Sequence, residues 1–554
     1  MPNEEEYLEI IVSAVHPDAI PYEDQRYMVR TIYSSLSIPG TVQVGQGPTG
    51  MGKTAVELAA AKKLTDDEKR VLIAVPSYEQ LDSNLQKEAA SVFASPVPVW
   101  YGFTHPLYQE AMRKCPLAKE TCSNMEAKTC MEQSCFIVSN QAACNDSKIV
   151  FTVHHIPVSI PSFINNFDAV IIDESHGYPS VIENHSRKTI DFKDIHALNL
   201  VSPQDLAMVT KYTSANRTPP AALVTKILQG IKSNAKKSDE KVARDLSFYD
   251  KAILKDGKIY LTKFAKQYKH NGKTSIALIS ATIEDAHDHV RDCGFGDLIV
   301  RPACQIDSPY FKKRFEHRPV YALIDGPFLG KADMANYSVF RDAANDIIAK
   351  LVSTVDTVTM ILCQNGTDAL SVFNRLKNDE VTATRVTNLP DDLLDGELST
   401  YQRFIEDEVK KGRNLIIATA SSKLWEGANV TDLHFLIIDA LPFKRQNPDE
   451  LKGKGKKVHD AWRSQKRFML NRVQQGIGRL VRGDDEWGIV IIVDGRFYHG
   501  RKQYTKPESM PRFITNFINY ETTEKVIQIL PSMAAHLMKG GDARVNQRLD
   551  DFLN

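Results

Sequence analysis

Residues 47–54 read Gly-Pro-Thr-Gly-Met-Gly-Lys-Thr, and the chemistry of that G-x-x-x-x-G-K-T spacing is the cradling of phosphates. Gly47, Gly50 and Gly52 let backbone amides approach phosphate oxygens, and Pro48, Thr49 and Met51 complete the loop. Lys53 is expected to reach the β- and γ-phosphates of ATP, and Thr54 to ligate Mg²⁺. The N-terminus of the helix opened by TAVELAAA adds partial positive charge at the same point. A second group, Asp173-Glu174-Ser175-His176, ends the apolar run DAVIID. Acids at the carboxyl end of a buried strand face the ligand crevice of an α/β sheet. Asp173 is expected to hold Mg²⁺, and Glu174 to orient and deprotonate an attacking water. His176 is expected to link the nucleotide site to a nucleic-acid side. In QQGIGRLVRG (474–483), Arg479 and Arg482 stand three apart, so on a helix they share one face. That face is either ordinary solvated charge or, across a cleft between lobes, a pair of arginine fingers on the γ-phosphate, worth ~10³ to 10⁵ in rate.

These groups need elements to hold them. TVQVGQ (41–46), VLIAVP (71–76), KIVFTV (148–153), DAVIID (168–173) and SIALIS (275–280) form one set of short apolar runs. TVTMILC (357–363), LIIATA (415–420), FLIIDA (435–440) and GIVIIVD (488–494) form another. Runs of this kind suit central strands of parallel sheets covered on both faces. Amphipathic stretches such as TAVELAAAKKL (54–64) and TDALSVFNRLK (367–377) separate them. The alternation predicts an α/β fold in two lobes. Residues 103–147 and 180–272 are too long for ordinary βα connections and are expected to be insertions in the first lobe, the second of them helical.

The chain has 554 residues, with 69 Lys+Arg against 69 Asp+Glu, so any surface for nucleic acid must be local. MPNEEEYLEI lacks the basic-then-apolar order of a signal peptide, and no apolar run approaches the ~18 residues of a membrane span. A cytoplasmic location without membrane partners is expected. Of eight cysteines, Cys115, Cys122, Cys130, Cys135 and Cys144 crowd one short segment, spaced x6, x7, x4 and x8. In a reducing compartment that clustering suggests metal binding. The absence of a C-x2-C pair favours an iron–sulfur cluster over zinc, with reduced structural thiols as the plain alternative. Between 226 and 273, Lys232, Lys236, Lys241, Lys255, Lys263, Lys269 and Arg244 interleave with Tyr249, Tyr260, Phe264 and Tyr268. Such a pattern suits a single-strand channel, or equally a solvated helical surface.

Together and in this order, these residues resemble the superfamily 2 helicases, and more narrowly the XPD/DinG branch. Gln25 in PYEDQRYMV resembles the adenine-reading glutamine that precedes the phosphate loop. GPTGMGKT resembles motif I, DESH motif II and Ser280-Ala281-Thr282 motif III. SSKLWEGANV (421–430) with FLIIDALPFKRQNP (435–448) is similar to the branch's motif V region, with Glu426 and Gly427 in the nucleotide site. QGIGRLVR (475–482) is similar to motif VI, and brings Gln475 to the site. DESH stands for the commoner DEAH, VPSYEQL (75–81) for a threonine-rich motif Ia, and Asn429 for Asp.

The resemblance implies two RecA-like lobes, with a cysteine-rich Fe–S insertion and a lysine-rich, arch-like insertion in the first. The expected boundaries are 1–102, 148–179 and 273–310 for lobe 1, 103–147 and 180–272 for its insertions, and 311–554 for lobe 2. It also implies a [4Fe–4S] cluster on Cys115, Cys122, Cys130 and Cys135, because the run starting at Cys135 resembles the family's exit from its cluster domain. Cys144 is then left in a buried helix. The implied activity is ATP-dependent 5′→3′ movement on single-stranded DNA by a monomer, opening duplex junctions or the RNA–DNA hybrids of R-loops. A translocase that remodels protein–DNA complexes without separating strands is the alternative.

Overall fold

The computed structural model describes residues 2–15, 19–47, 51–102, 105–114, 136–185, 187–191, 201–214, 220–235, 251–255, 258–262, 271–281, 283, 285–306, 318–330, 336–387, 398–419, 425, 430, 432–443, 458–480, 487–506, 510 and 512–538. Strands β1 (Thr41–Gln46), β2 (Val71–Val75), β3 (Ile149–Val153) and β4 (Ala169–Ile172) come first. After β5 (Arg187–Asp191), β6 (Lys251–Lys255) and β7 (Lys258–Thr262) follow β8 (Ser275–Ser280), β9 (Ile299–Val300) and β10 (Cys304–Gln305). The order β10-β1-β8-β4-β2-β3, with β9 on β1, makes one parallel sheet. A second sheet holds β11 (Val320–Leu323), β12 (Val358–Cys363), β13 (Leu415–Thr419), β14 (Leu433–Ile438), β15 (Ile489–Ile492) and β16 (Ile518–Glu521). Its order is β13-β12-β14-β15-β11-β16, also all parallel.

Each apolar run named from the sequence lies in one of these strands. In β2, β3 and β4 every residue is buried, because helices cover both faces of the sheet. Each fully buried Ile, Leu or Val contributes about 1.5–3 kcal/mol, so these strands are the natural centre of each lobe. The helix Lys53–Asp66 is inside on nearly every side, burying Val56, Leu58, Ala59, Ala60, Ala61 and Leu64. In the second lobe, separate apolar clusters fill the two faces of the sheet, one around Met360, Trp425 and Leu470 and the other around Tyr321, Ile361 and Ile529.

The structure corrects the expectation of a wholly helical second insertion. Helices Pro203–Ser214 and Ala221–Ala235 pack with an antiparallel sheet of order β5-β7-β6. Ile190, Val209, Ile227, Ile231, Ile259 and Leu261 form its small core. Period-2 alternation in KIYLT buries Ile259 and Leu261, and Asp256-Gly257 between KAILK and KIYLT is a hairpin dipeptide that lysine content had obscured. Short β9, β10, β11 and β16 also went unforeseen, since two to four residues give periodicity too little to work on. Among the described residues, no helix is long and apolar enough to cross a membrane.

Candidate active site

Strand order brings the phosphate loop and the DESH acids to one edge. β8 lies between β1 and β4, pairing Gln46 with Ser280 and Ile172 with Leu278, so all three strands end together. Gly47 N–H donates to the Ser280 carbonyl at 3.2 Å, tying the loop's start to motif III. Gly52 caps the helix with φ +77°, a conformation that favours glycine, and a Cβ there would lie 2.7 Å from Gln25 Nε2. Gln25 itself is buried beneath the loop. Its Nε2 donates to the Met51 carbonyl at 2.6 Å, and its Oε1 accepts from Tyr22 N–H at 2.8 Å.

Lys53 begins the helix and is buried, and its Nζ lies 3.5 Å from Glu174 Oε1. Burial alone would lower its pKa, but Glu174, Asp173 and Glu57 outweigh that and hold it above the ordinary value. Thr54 follows in the first turn, half-buried. Asp173 accepts from Glu174 N–H at 2.7 Å and from Gln80 Nε2 at 2.9 Å. Burial, then the charge of Glu174, pushes its carboxyl up. Glu174 has φ +44°, a left-handed backbone that a side chain adopts at a cost. Burial pulls its carboxyl up, but Lys53 and His176 prevail and hold it well below the usual range.

His176 joins the two lobes. Its Nδ1 lies 2.8 Å from Ser280 Oγ and 3.2 Å from Glu174 Oε2. Gln475, on the helix Val458–Gly478 of the second lobe, places its Nε2 2.5 Å from His176 Nε2. With Gln475 donating, Nε2 accepts and Nδ1 carries the proton, turned toward Ser280 and Glu174. A second bridge runs between lobes: Arg467 forks to Asp288 at 3.1 Å and Asp292 at 2.7 Å.

Other expected residues divide. The helix stops at Gly478, after Gly476 and Gly478 have weakened it, so Arg479 stands beyond it. Arg479 Nε instead donates to the Trp425 carbonyl at 3.2 Å. Pro48, Thr49, Gly50, Thr282, Glu426, Gly427, Asn429, Arg482 and Cys115, Cys122, Cys130 and Cys135 lie outside the described residues. Cys144 is buried in the helix Phe136–Asp146, and burial raises its thiol to about 11, so it stays protonated.

Several contributors escaped sequence reasoning. Gln80 orients Asp173 from the VPSYEQL stretch. His154 Nε2 donates to the Asp173 carbonyl at 2.7 Å, and His289 Nε2 bonds Ser175 Oγ at 3.0 Å. Only the folded neighbourhood reveals these three. Glu57 did leave a signal, an acid inside the apolar AVELAAA. It is wholly buried against Asp173, and among the described residues no N–H or hydroxyl donor reaches its carboxylate oxygens.

The residues present fit a divalent cation: Thr54 and Asp173 offer hard oxygens, and Glu57 is an orphaned carboxyl beside them. Among the described residues no three His, Cys, Asp or Glu side chains form a ready-made metal cage.

Residues 348–513 match the family described as helicase C-terminal domain, and residues 20–202 match type III restriction enzyme, res subunit. A probable ATP-dependent helicase of Methanocaldococcus jannaschii is 26% identical over 247 residues, 41% of this chain and 35% of the relative. The ATP-dependent DNA helicase YoaA of Haemophilus influenzae is 33% identical over 149 residues, 25% of this chain and 22% of the relative. The chain thus spans about a third or less of the length of these relatives. The structure of Xpd4 from S. tokodaii superposes with a TM-score of 0.56 at 12% identity, covering 90% of this chain and all of that one, a likeness of fold.

Proposed function

We propose that this chain, which belongs to the superfamily 2 helicases of the XPD/DinG type, is an ATP-driven motor that moves 5′→3′ on single-stranded DNA and opens duplex junctions or R-loops. The observation that carries the reading is the continuous chain Lys53–Glu174–His176–Gln475, which runs from the phosphate loop of one lobe to the far helix of the other. Lys53 pairs with Glu174 at 3.5 Å. Phosphate oxygens would draw Lys53 away, and loss of that cation makes Glu174 a stronger base for the attacking water. Thr54 and Asp173 would hold Mg²⁺, which neutralises charge growing on the phosphates. His176 reports the state of Glu174 to Gln475, so ATP turnover is coupled to the lobe–lobe contact.

The finer roles rest on the sequence resemblance. Arg479 and Arg482 would serve as fingers once the lobes close. Gln25, Glu426 and Gly427 would contact the nucleotide. Cys115, Cys122, Cys130 and Cys135 would hold a [4Fe–4S] cluster, since four thiols are the donor set it needs, and Cys144 is buried in the helix Phe136–Asp146. The lysine-rich insertion would line the single strand's path.

The test is Mg²⁺-dependent ATP hydrolysis with and without single-stranded DNA, beside strand displacement on a forked duplex. Wild type should hydrolyse ATP faster with DNA and separate strands, and Lys53→Ala should do neither. Lys53→Ala with wild-type turnover would sink the assignment. DNA-stimulated hydrolysis without strand separation would replace it with the protein-remodelling translocase.

A further inference from the structure

Glu57 follows Lys53 by one helical turn, so the two side chains share a face of the helix Lys53–Asp66. Its side chain is 0% exposed; among the described residues no N–H or hydroxyl donor reaches either carboxylate oxygen, and its polar neighbour is a second acid, Asp173. An unpaired carboxyl in an apolar core is among the costliest groups a fold can bury. Elsewhere the chain shows how a buried acid is satisfied: Asp439 receives two N–H bonds from Arg341 at 2.6 and 2.7 Å. Near Glu57 the donors are committed to others. Lys53 pairs with Glu174, and Gln80 and the Glu174 amide both point to Asp173. What the described residues around Glu57 do not offer is a free donor or an uncommitted cation, since Asp173 is itself an acid and Lys53 is paired with Glu174. A hydrated divalent cation at Asp173 supplies both, because Mg²⁺ keeps several of its waters when protein-bound.

We propose that Glu57 is a second carboxylate of the cation seat, accepting hydrogen bonds from the water shell of the Mg²⁺ that Asp173 holds. This rests on the reading of the phosphate loop and DESH as an ATP site. Glu57 is a positioning residue in this role: it touches neither nucleotide nor attacking water, and acts through the metal's hydration.

The experiment compares ADP binding to the full chain by calorimetry, in EDTA and in Mn²⁺, for wild type, Glu57→Gln and Glu57→Leu. Outer partners of a metal site typically contribute 10–100-fold in metal affinity. The tightening of ADP binding by Mn²⁺ should therefore fall by about tenfold or more in both variants, with affinity in EDTA unchanged. Glu57→Leu should also melt higher, since it removes an unpaired buried acid, and Glu57→Gln covers the case in which leucine fails to pack. A merely structural Glu57 would shift melting alone. Wild-type Mn²⁺ tightening in a folded Glu57→Gln chain overturns the proposal and leaves the ATP-site reading standing. If wild type binds ADP in neither condition, both fall together.

Discussion

The runs DAVIID and FLIIDA carry the same Ile-Ile-Asp to the end of a central strand in each lobe, and the two aspartates meet opposite treatment. Asp439, ending β14, is fully buried and gripped by both terminal nitrogens of Arg341, whose Nε is held by Asn345. Asp173, ending β4, receives only neutral donors. Its neighbour Glu174 sits in a left-handed backbone, and Glu57 beside it receives no N–H or hydroxyl donor among the described residues. One lobe neutralises its buried acid with the protein's own cation. The other sets Asp173 beside Glu57 while its lysine, Lys53, pairs with Glu174, a condition that a nucleotide's cation would relieve. Carboxylates that must receive a ligand cannot also be satisfied without it, and the first lobe bears that cost in stability.

The contrast breaks most readily by exchanging the readouts. Glu174→Gln should lower kcat for ATP by about 10²- to 10⁴-fold, read by steady-state hydrolysis. Arg341→Leu, which strands Asp439 in the core, should destabilise by about 3–5 kcal/mol, read by thermal or denaturant unfolding, with ATP affinity of the folded fraction unchanged. Wild-type turnover in the first, or wild-type unfolding in the second, would erase the distinction between the lobes.

Acid should separate them further. Burial lowers the pKa of His154 to about 4 and of His289 to about 3. Both histidines are neutral above pH ~6.5 in either state, so they cost nothing there. Below it the unfolded chain takes up protons that the folded chain refuses, so stability falls with pH until the folded values are reached. Each contributes a loss of up to about 1.4 kcal/mol per pH unit in that window. Both hold the DESH segment, through the Asp173 carbonyl and Ser175 Oγ. Hydrogen exchange at pH 5.5 against 7.5 should therefore expose β4 amides more than β14 amides. Equal loss in both lobes would mean the histidines do not govern this edge.

The smallest effect lies where the lobes meet. Gln475→Ala removes the donor to His176, and a net hydrogen bond is worth about 0.5–1.5 kcal/mol, so turnover should fall roughly two- to tenfold with little change in ATP affinity. A turnover unchanged with and without DNA would show that the His176–Gln475 contact carries no coupling.

The sequence by itself determined the central strands of both sheets, because fully apolar runs bounded by glycine and acids have few other places to go. It determined the phosphate loop and the acids at β4, since their chemistry is written in contiguous residues. It also contained the β6–β7 hairpin, in alternation and an Asp-Gly pair, beneath a lysine-rich composition that argued for helix. Only the tertiary structure decided which distant groups meet. Gln80, His154 and His289 come to the DESH acids from 93, 19 and 114 residues away in the chain. Gln475 reaches His176 across 299 residues and two lobes. Periodicity reports which face of an element is buried, but the partner on that face depends on strand order and on how two sheets are set together. Arg479 makes the same point: glycines end the helix at Gly478, and its Nε goes to the Trp425 carbonyl, 54 residues away in the chain. Glu57 stands between the two kinds of knowledge, because its oddity is visible in AVELAAA while its lack of a donor among the described residues exists only in the packed lobe.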